Sequence, residues 1–380
     1  MTYTGPQRTY AGTALRWITV VFMVYLLLVA VGMIGSGFKW ASGGADGARE
    51  LFAFASNPVM GLVIGAFATA LVQSSSTVTS VIVGLVAGGL PVATAIPMIM
   101  GANMGTTVTN TLVSMGHIGK KKEFRRAFSA ATVHDFFNLL AIAIFLPLEI
   151  FTGYLSKASG FLATFFESDS SMSIKHLNFV KPLTKPVIST YQDTLGSFPD
   201  PWGGVILALT GLALIFLSII ILGKLLKVLM VGRAKAILHR AIGHGPITGI
   251  TSGTLMTIAV QSSSTSTSLI VPLAGNGLFK LKEIYPFTLG ANIGTCITAL
   301  LAATAVEGSH AIFALQIAMV HLIFNLSAVV LIYGIPTLRR IPLRAARRFA
   351  QIASRRKWIV FAYVIGLFFV LPSLLITLTA

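Results

Sequence analysis

Two copies of one string carry the chemistry of this 380-residue chain: Gln73-Ser74-Ser75-Ser76-Thr77 and Gln261-Ser262-Ser263-Ser264-Thr265. Serine and threonine are good helix N-caps, and a helix start presents free backbone N–H groups at a positive dipole end. Such an end suits an anion. If each glutamine closes the helix before it, the freed carbonyls, the amide oxygen and the hydroxyls are hard oxygen ligands for a small cation. Ser74, Ser75, Ser76, Thr77, Ser262, Ser263, Ser264 and Thr265 are then the anion residues, with Gln73 and Gln261 on the cation side.

A second string is also duplicated, as Gly101-Ala102-Asn103-Met104-Gly105-Thr106 and Gly290-Ala291-Asn292-Ile293-Gly294-Thr295. Glycines flanking an asparagine in an apolar run favour an unwound break with exposed carbonyls, and the rival reading is close helix packing. On the first reading Asn103, Thr106, Asn292, Thr295 and Thr298 line the same cavity. Neither string nor its flanking apolar run contains Lys or Arg. A multiply charged anion held there needs accompanying cations, which points to ion coupling rather than a simple pore. An isolated Ser/Thr cluster in a membrane helix usually serves packing or back-bonding, but duplication with a glutamine argues for function.

Asp135 is the sole acid of another apolar run, three residues before Asn138, so the two share a helix face. Both join the cation set. His134 and His321 fit satisfied core or interface histidines and stay outside it. No His, Asp or Glu lies in either Gln-Ser-Ser-Ser-Thr region to serve as a base, which argues against a serine hydrolase.

Composition sets the scaffold. The chain is 55% hydrophobic and 10% charged, with a mean hydropathy of +0.84, which indicates a polytopic all-α membrane protein. Lys and Arg number 28 against 11 Asp and Glu. These cations fall in short patches between apolar runs, as in cytoplasmic loops, and not on a face interleaved with aromatics, which argues against nucleic acid. The first apolar run, 17–38, lacks a small-residue cleavage site and reads as a retained helix. Cys296 is the single cysteine, so no intramolecular disulfide forms.

The patches at Arg8 and Arg16, Lys120 to Arg126, Lys224 to Arg240 and Arg339 to Lys357 all belong inside. Three apolar segments (17–38, 58–88 and 92–117) lie between the first two patches, and three more (246–277, 284–306 and 311–335) between the last two. An odd number of crossings cannot return the chain to the same side. We therefore expect 58–88 and 246–277 to be re-entrant helical hairpins, leaving about seven full spans.

The matches repeat at offsets of 188, 189 and 187 residues, the last from His134 with Asn138 to His321 with Asn325. The loop after the second string is basic in the first copy and carries only Glu307 in the second, so the copies read as inverted. The expected layout is 1–50 as first helix and external loop, 51–148 as repeat 1, and 149–202 as an external loop. It continues with 203–240 as connecting helix and linker, 241–335 as repeat 2, and 336–380 as basic loop and last helix. Each repeat is expected to hold a hairpin and a broken helix.

On Val72 to Thr77, Phe124-Arg125-Arg126-Ala127-Phe128, Val133-His134-Asp135 with Asn138, and Gly290 to Thr295, the chain resembles the type II sodium-dependent phosphate cotransporter family. The similarity runs from Asn57 through Gly153 and from Gly245 through Asn325. It implies an electrogenic symporter that imports inorganic phosphate with sodium ions, with phosphate between the hairpin tips and sodium on the surrounding Gln, Ser, Thr and Asn residues. An aspartate at the Asp135 position is associated with electrogenic transport in that family, and Leu322 stands there in the second copy. A symporter for another oxyanion, such as sulfate or arsenate, is the alternative. Thr152 to Pro201 lacks cysteine and any Asn-X-Ser/Thr acceptor, and together with the short termini this suggests a bacterial inner-membrane protein. No organic cofactor is expected, and a homodimer is left open.

Overall fold

A computed structural model describes residues 10–44, 47, 50, 57–168, 181–241, 244–306 and 310–379, and every regular element among them is helical. Arg8, Glu307 and residues 169–180 of the segment expected as an external loop lie outside the described residues. The first half comprises α1 (Tyr10–Ala41), α2 (Pro58–Val72), α3 (Ser75–Ala87), α4 (Val92–Gly105), α5 (Thr107–Ser114) and α6 (Lys121–Thr152). Two helices, α7 (Tyr154–Ser168) and α8 (Lys181–Leu195), lie in the segment expected as an external loop, followed by the long α9 (Trp202–Ala241). In the second half come α10 (Pro246–Val260), α11 (Ser263–Ser268), α12 (Ile270–Gly275), α13 (Leu281–Thr304) and α14 (Ala311–Ala328, running on as a π-helical turn to Tyr333). The chain ends in α15 (Pro336–Arg355) and α16 (358–379), whose middle, Ala362–Val370, is π-helical.

Six of these helices are long and apolar enough to cross a membrane, namely α1, α6, α9, α13, α14 and α16. The seventh expected span, 92–117, is divided between α4 and α5 at Thr106, and neither piece is long enough alone. Both expected helix pairs are present. Asn57 opens α2 by accepting the Val59 N–H at 2.9 Å, with Pro58 at the first position, where no N–H is needed. α10 also opens on a proline, Pro246. Its partner is divided into α11 and α12 at Leu269, because Pro272 has no N–H to give the Ser268 carbonyl.

The second glycine-rich string differs from the expected break, while the first ends at the Thr106 interruption with its glycines inside a helix. Gly290 to Thr295 lies inside α13, which runs unbroken from Leu281 to Thr304, and in the first copy Gly101 to Gly105 is itself helical. Close packing is the reason. A Cβ on Gly101 would sit 1.9 Å from the Leu62 carbonyl oxygen, and one on Gly290 would sit 1.9 Å from that of Ile250. From the facing side, a Cβ on Gly65 would lie 2.0 Å from the Met98 oxygen and one on Gly253 2.1 Å from that of Phe287. The glycines therefore let α2 lie on α4, and α10 on α13, backbone against backbone, as small residues do in membrane helix pairs.

α13 and α14 pack on each other and against α3, so elements of both halves share one core that includes Ile82, Ile99, Tyr285 and Phe324. α1 pairs with α9, and both contribute to that core, through Leu27, Ala30 and Ile34 and through Ile215 and Ile219. The segment expected as a basic loop is instead the amphipathic α15, which buries Leu343, Ala346, Ala350 and Ala353 while Arg344, Arg347 and Arg348 stay exposed. Phe349 carries that face onto α6, 5.2 Å from the Phe128 ring.

Candidate ion and anion site

Gln73 and Gln261 are the only residues other than glycine with positive φ among those described, at 57° and 54°. A left-handed conformation costs a residue with a Cβ about 1–2 kcal/mol, so the glutamine side chain must contribute what glycine could not. Gln73 Nε2 donates to Ala70 O, and Gln261 Nε2 donates to Ile258 O at 2.7 Å, each closing the end of its own helix. The other amide atom faces outward. Gln73 Oε1 accepts from the Thr109 hydroxyl at 2.7 Å and Gln261 Oε1 from the Thr298 hydroxyl at 2.8 Å. Thr298 belongs to the expected set and Thr109 does not, although the 189-residue offset maps one onto the other.

The next residue starts the second helix in both copies. Ser74 Oγ accepts the Thr77 N–H at 3.2 Å, and Ser262 Oγ accepts the Thr265 N–H at 3.1 Å. With that donor capped, the N–H groups of Ser75, Ser76, Ser263 and Ser264 are first-turn donors with no carbonyl behind them in the helix. All four residues are buried, and Thr77 with them, whereas Thr265 is half-buried. Among the described residues no hydrogen bond joins the two tips directly. The second is tied to α5 by the Thr267 hydroxyl, which donates to Asn110 Oδ1 at 3.0 Å.

Asn103, Asn138 and Asn292 meet elsewhere, in a buried network that crosses between the copies. Asn103 Nδ2 donates to Asn325 Oδ1 at 2.8 Å, and Asn103 Oδ1 accepts from His321 Nε2 at 3.0 Å. Reciprocally, Asn292 Nδ2 donates to Asn138 Oδ1 at 2.8 Å, and Asn292 Oδ1 is bonded to His134 Nε2. Each copy's asparagine is thus held by the other copy's histidine and asparagine. Asn138 Nδ2 links the two clusters by donating to Asn103 O at 3.0 Å. An asparagine oxygen only accepts, so both histidines carry their proton on Nε2. Thr106 and Thr295 turn back on their own helices, donating to Ala102 O and Ala291 O at 3.3 and 2.9 Å.

The network yields a symmetric expectation. Asn103→Ala and Asn292→Ala each strand buried partners and should lower stability by similar amounts, about 1–3 kcal/mol apiece. Thermal unfolding in detergent reads this directly, and a cost in one copy alone would contradict the reciprocal arrangement.

Asp135 is 2% exposed and departs from the two-copy pattern. Its Oδ2 accepts from the Tyr363 hydroxyl of α16 at 2.7 Å, while Oδ1 has no hydrogen-bond partner. Thr107, at the start of α5, places its hydroxyl beside the same carboxyl group. Tyr363 is a site residue that sequence reasoning missed, being 228 residues away on a helix outside both copies.

A polytopic helical protein with two serine-capped helix interruptions and a buried carboxylate on a neighbouring span has the construction of a secondary membrane transporter. The chain belongs to the Na+/Pi-cotransporter family, which it matches over residues 26–167 and 214–339, segments that contain both tips. It is 34% identical to sodium-dependent phosphate transport protein 2A of Rattus norvegicus, over 92% of this chain and 66% of that protein. Against the 2A protein of Ovis aries it is 34% identical over 97% of this chain and 68% of the relative. For protein 2B of Bos taurus the identity is 33%, over 94% of this chain and 64% of that protein. The chain therefore spans about two thirds of the length of these relatives. No solved structure matches it.

Proposed function

We propose that the chain is a sodium-driven symporter that imports inorganic phosphate by alternating access. The observation that carries this reading is the tip built twice: a left-handed glutamine bonded to a threonine, then a serine-capped helix start. Phosphate takes the free N–H groups of Ser75, Ser76, Ser263 and Ser264, with Ser74, Thr77, Ser262 and Thr265 shaping the two ends. Sodium takes the oxygens that meet beside them, Gln73 with Thr109 and Gln261 with Thr298, which are neutral donors of the hardness it prefers. Asn103, Asn138 and Asn292 hold the copies together, and Thr106 and Thr295 stay with their helices.

Sodium and phosphate both stand in the names of the relatives above, and this favours phosphate over sulfate or arsenate. Residues 51–148 and 241–335 act as inverted units, and the reciprocal asparagine–histidine pairs support that division. A bacterial inner membrane is the proposed setting.

Asp135 supplies a further sodium ligand through its unpartnered Oδ1. A buried carboxylate is costly unless a cation or donor meets it, and Tyr363 satisfies only one oxygen. Asp135→Asn keeps the size and the contact with Tyr363 but removes the charge. Phosphate uptake should continue in this variant, become less steep in sodium and lose its response to an imposed membrane potential. An unchanged potential response would return Asp135 to a structural role.

A further inference from the structure

At one end of the bundle four cations surround a cavity of about 400 Å3 with no acid among them. Arg125 and Arg126 come from α6, Lys280 from the residue before α13, and Arg347 from α15, with Ser129 and Gln351 between them. Among the described residues none of the four cations is in an ion pair. The ion pairs among the described residues are those of Glu123 with Lys120 and His117. Glu283, the acid nearest in sequence to Lys280, accepts the Lys280 backbone N–H at 2.8 Å and so serves as a helix cap. Four unneutralised charges facing one space repel each other, and an anion there removes the repulsion.

The fittings are those of a phosphate group. Arginine presents a planar fork of donors that matches phosphate oxygens. Gly277, at φ 82°, lets the Arg126 guanidinium lie against the backbone, since a Cβ there would stand 2.4 Å from Nη1. Phe279 and Leu281 add an apolar side to the same cavity. The walls come from the end of α12, the start of α13, α6 and α15, so an occupant would tie the base of the second tip to the first copy and to α15. By the distribution of positive charge this end faces the cytoplasm.

We propose that this cavity is a phosphate-binding site distinct from the transport tips, filled by the headgroup of an anionic phospholipid or by a soluble phosphate anion. It does not depend on the transport reading, because binding to the purified chain tests it without uptake. Native mass spectrometry would measure retention of phosphatidylglycerol against phosphatidylcholine, and thermal unfolding would measure stabilisation by pyrophosphate. The cavity variant is Arg126→Gln with Arg347→Gln. A control, Lys121→Gln with Lys122→Gln, removes the same charge from exposed positions at the same end, outside the cavity.

Arg126 and Arg347 can make charge-assisted contacts to a headgroup in the cavity that Lys121 and Lys122, outside it, cannot make, so the cavity variant should retain phosphatidylglycerol about thirtyfold less well than the parent. The control should retain it nearly as the parent does. If pyrophosphate stabilises the parent and the control but not the cavity variant, while lipid retention is unchanged, the source is a soluble anion. Equal behaviour of cavity variant and control toward both probes would overturn the proposal.

Discussion

Tryptophan in place of Ser75 or of Ser263 abolishes phosphate uptake while the protein still reaches the membrane. Ser75 is 3% exposed and Ser263 4%, and each is the first residue after a serine cap, where the backbone N–H points out of the helix end. An indole ring there occupies the helix end that an anion must approach. Alanine is the informative partner. Ser75→Ala and Ser263→Ala leave the backbone donors in place, so uptake should largely persist if N–H groups rather than hydroxyls hold the anion. Near-normal uptake by both tryptophan variants would remove the anion from the tips.

The second large effect is on folding. Gly101→Val and Gly290→Val each place a side chain on a Cβ that would already stand 1.9 Å from a backbone oxygen. Backbone cannot swing away as a flexible side chain can, so α2 must separate from α4, or α10 from α13, at a cost of roughly 3 kcal/mol or more. We expect neither variant to accumulate as folded protein. Gly116→Val is the matched comparison, because a Cβ at Gly116 meets nothing within 4 Å, and it should accumulate normally. Equal yields of all three would show that the helices are not in backbone contact.

Those same glycines show how sequence patterns mislead. In Gly101 to Thr106 and Gly290 to Thr295, glycine admits two uses, an unwound break or a close approach, and spacing alone does not separate them. The structure assigns approach: none of the glycines in these strings has positive φ, whereas Gln73 and Gln261 do. The helix interruptions at the tips were legible because an N-cap has a chemical signature and because the string occurs twice. Charge parity supplied the two helix pairs without reference to any motif.

Other features left weaker traces. Thr109 was reachable through the offset that gives Thr298, but Ser/Thr residues are common in membrane helices and the pairing with Gln73 shows only in space. Tyr363 has no local pattern, since its partner Asp135 lies on a different helix and neither copy repeats the pair. α7 and α8 lie in a segment whose mixed charge, with lysine or acid among the apolar residues, reads as an external loop and hides two 15-residue helices. Asn103, Asn138 and Asn292 suit sodium by residue type alone. What the sequence could not display is that each is already bonded across the copies.

Sodium-dependent phosphate uptake into liposomes containing only the purified protein tests the central claim most directly. With sodium outside and potassium inside, labelled phosphate should accumulate above its outside concentration. Replacing external sodium by potassium should reduce uptake to that of empty liposomes, and excess unlabelled phosphate should compete far better than sulfate. Phosphate entry that only equilibrates, at the same rate with or without a sodium gradient, would contradict the account.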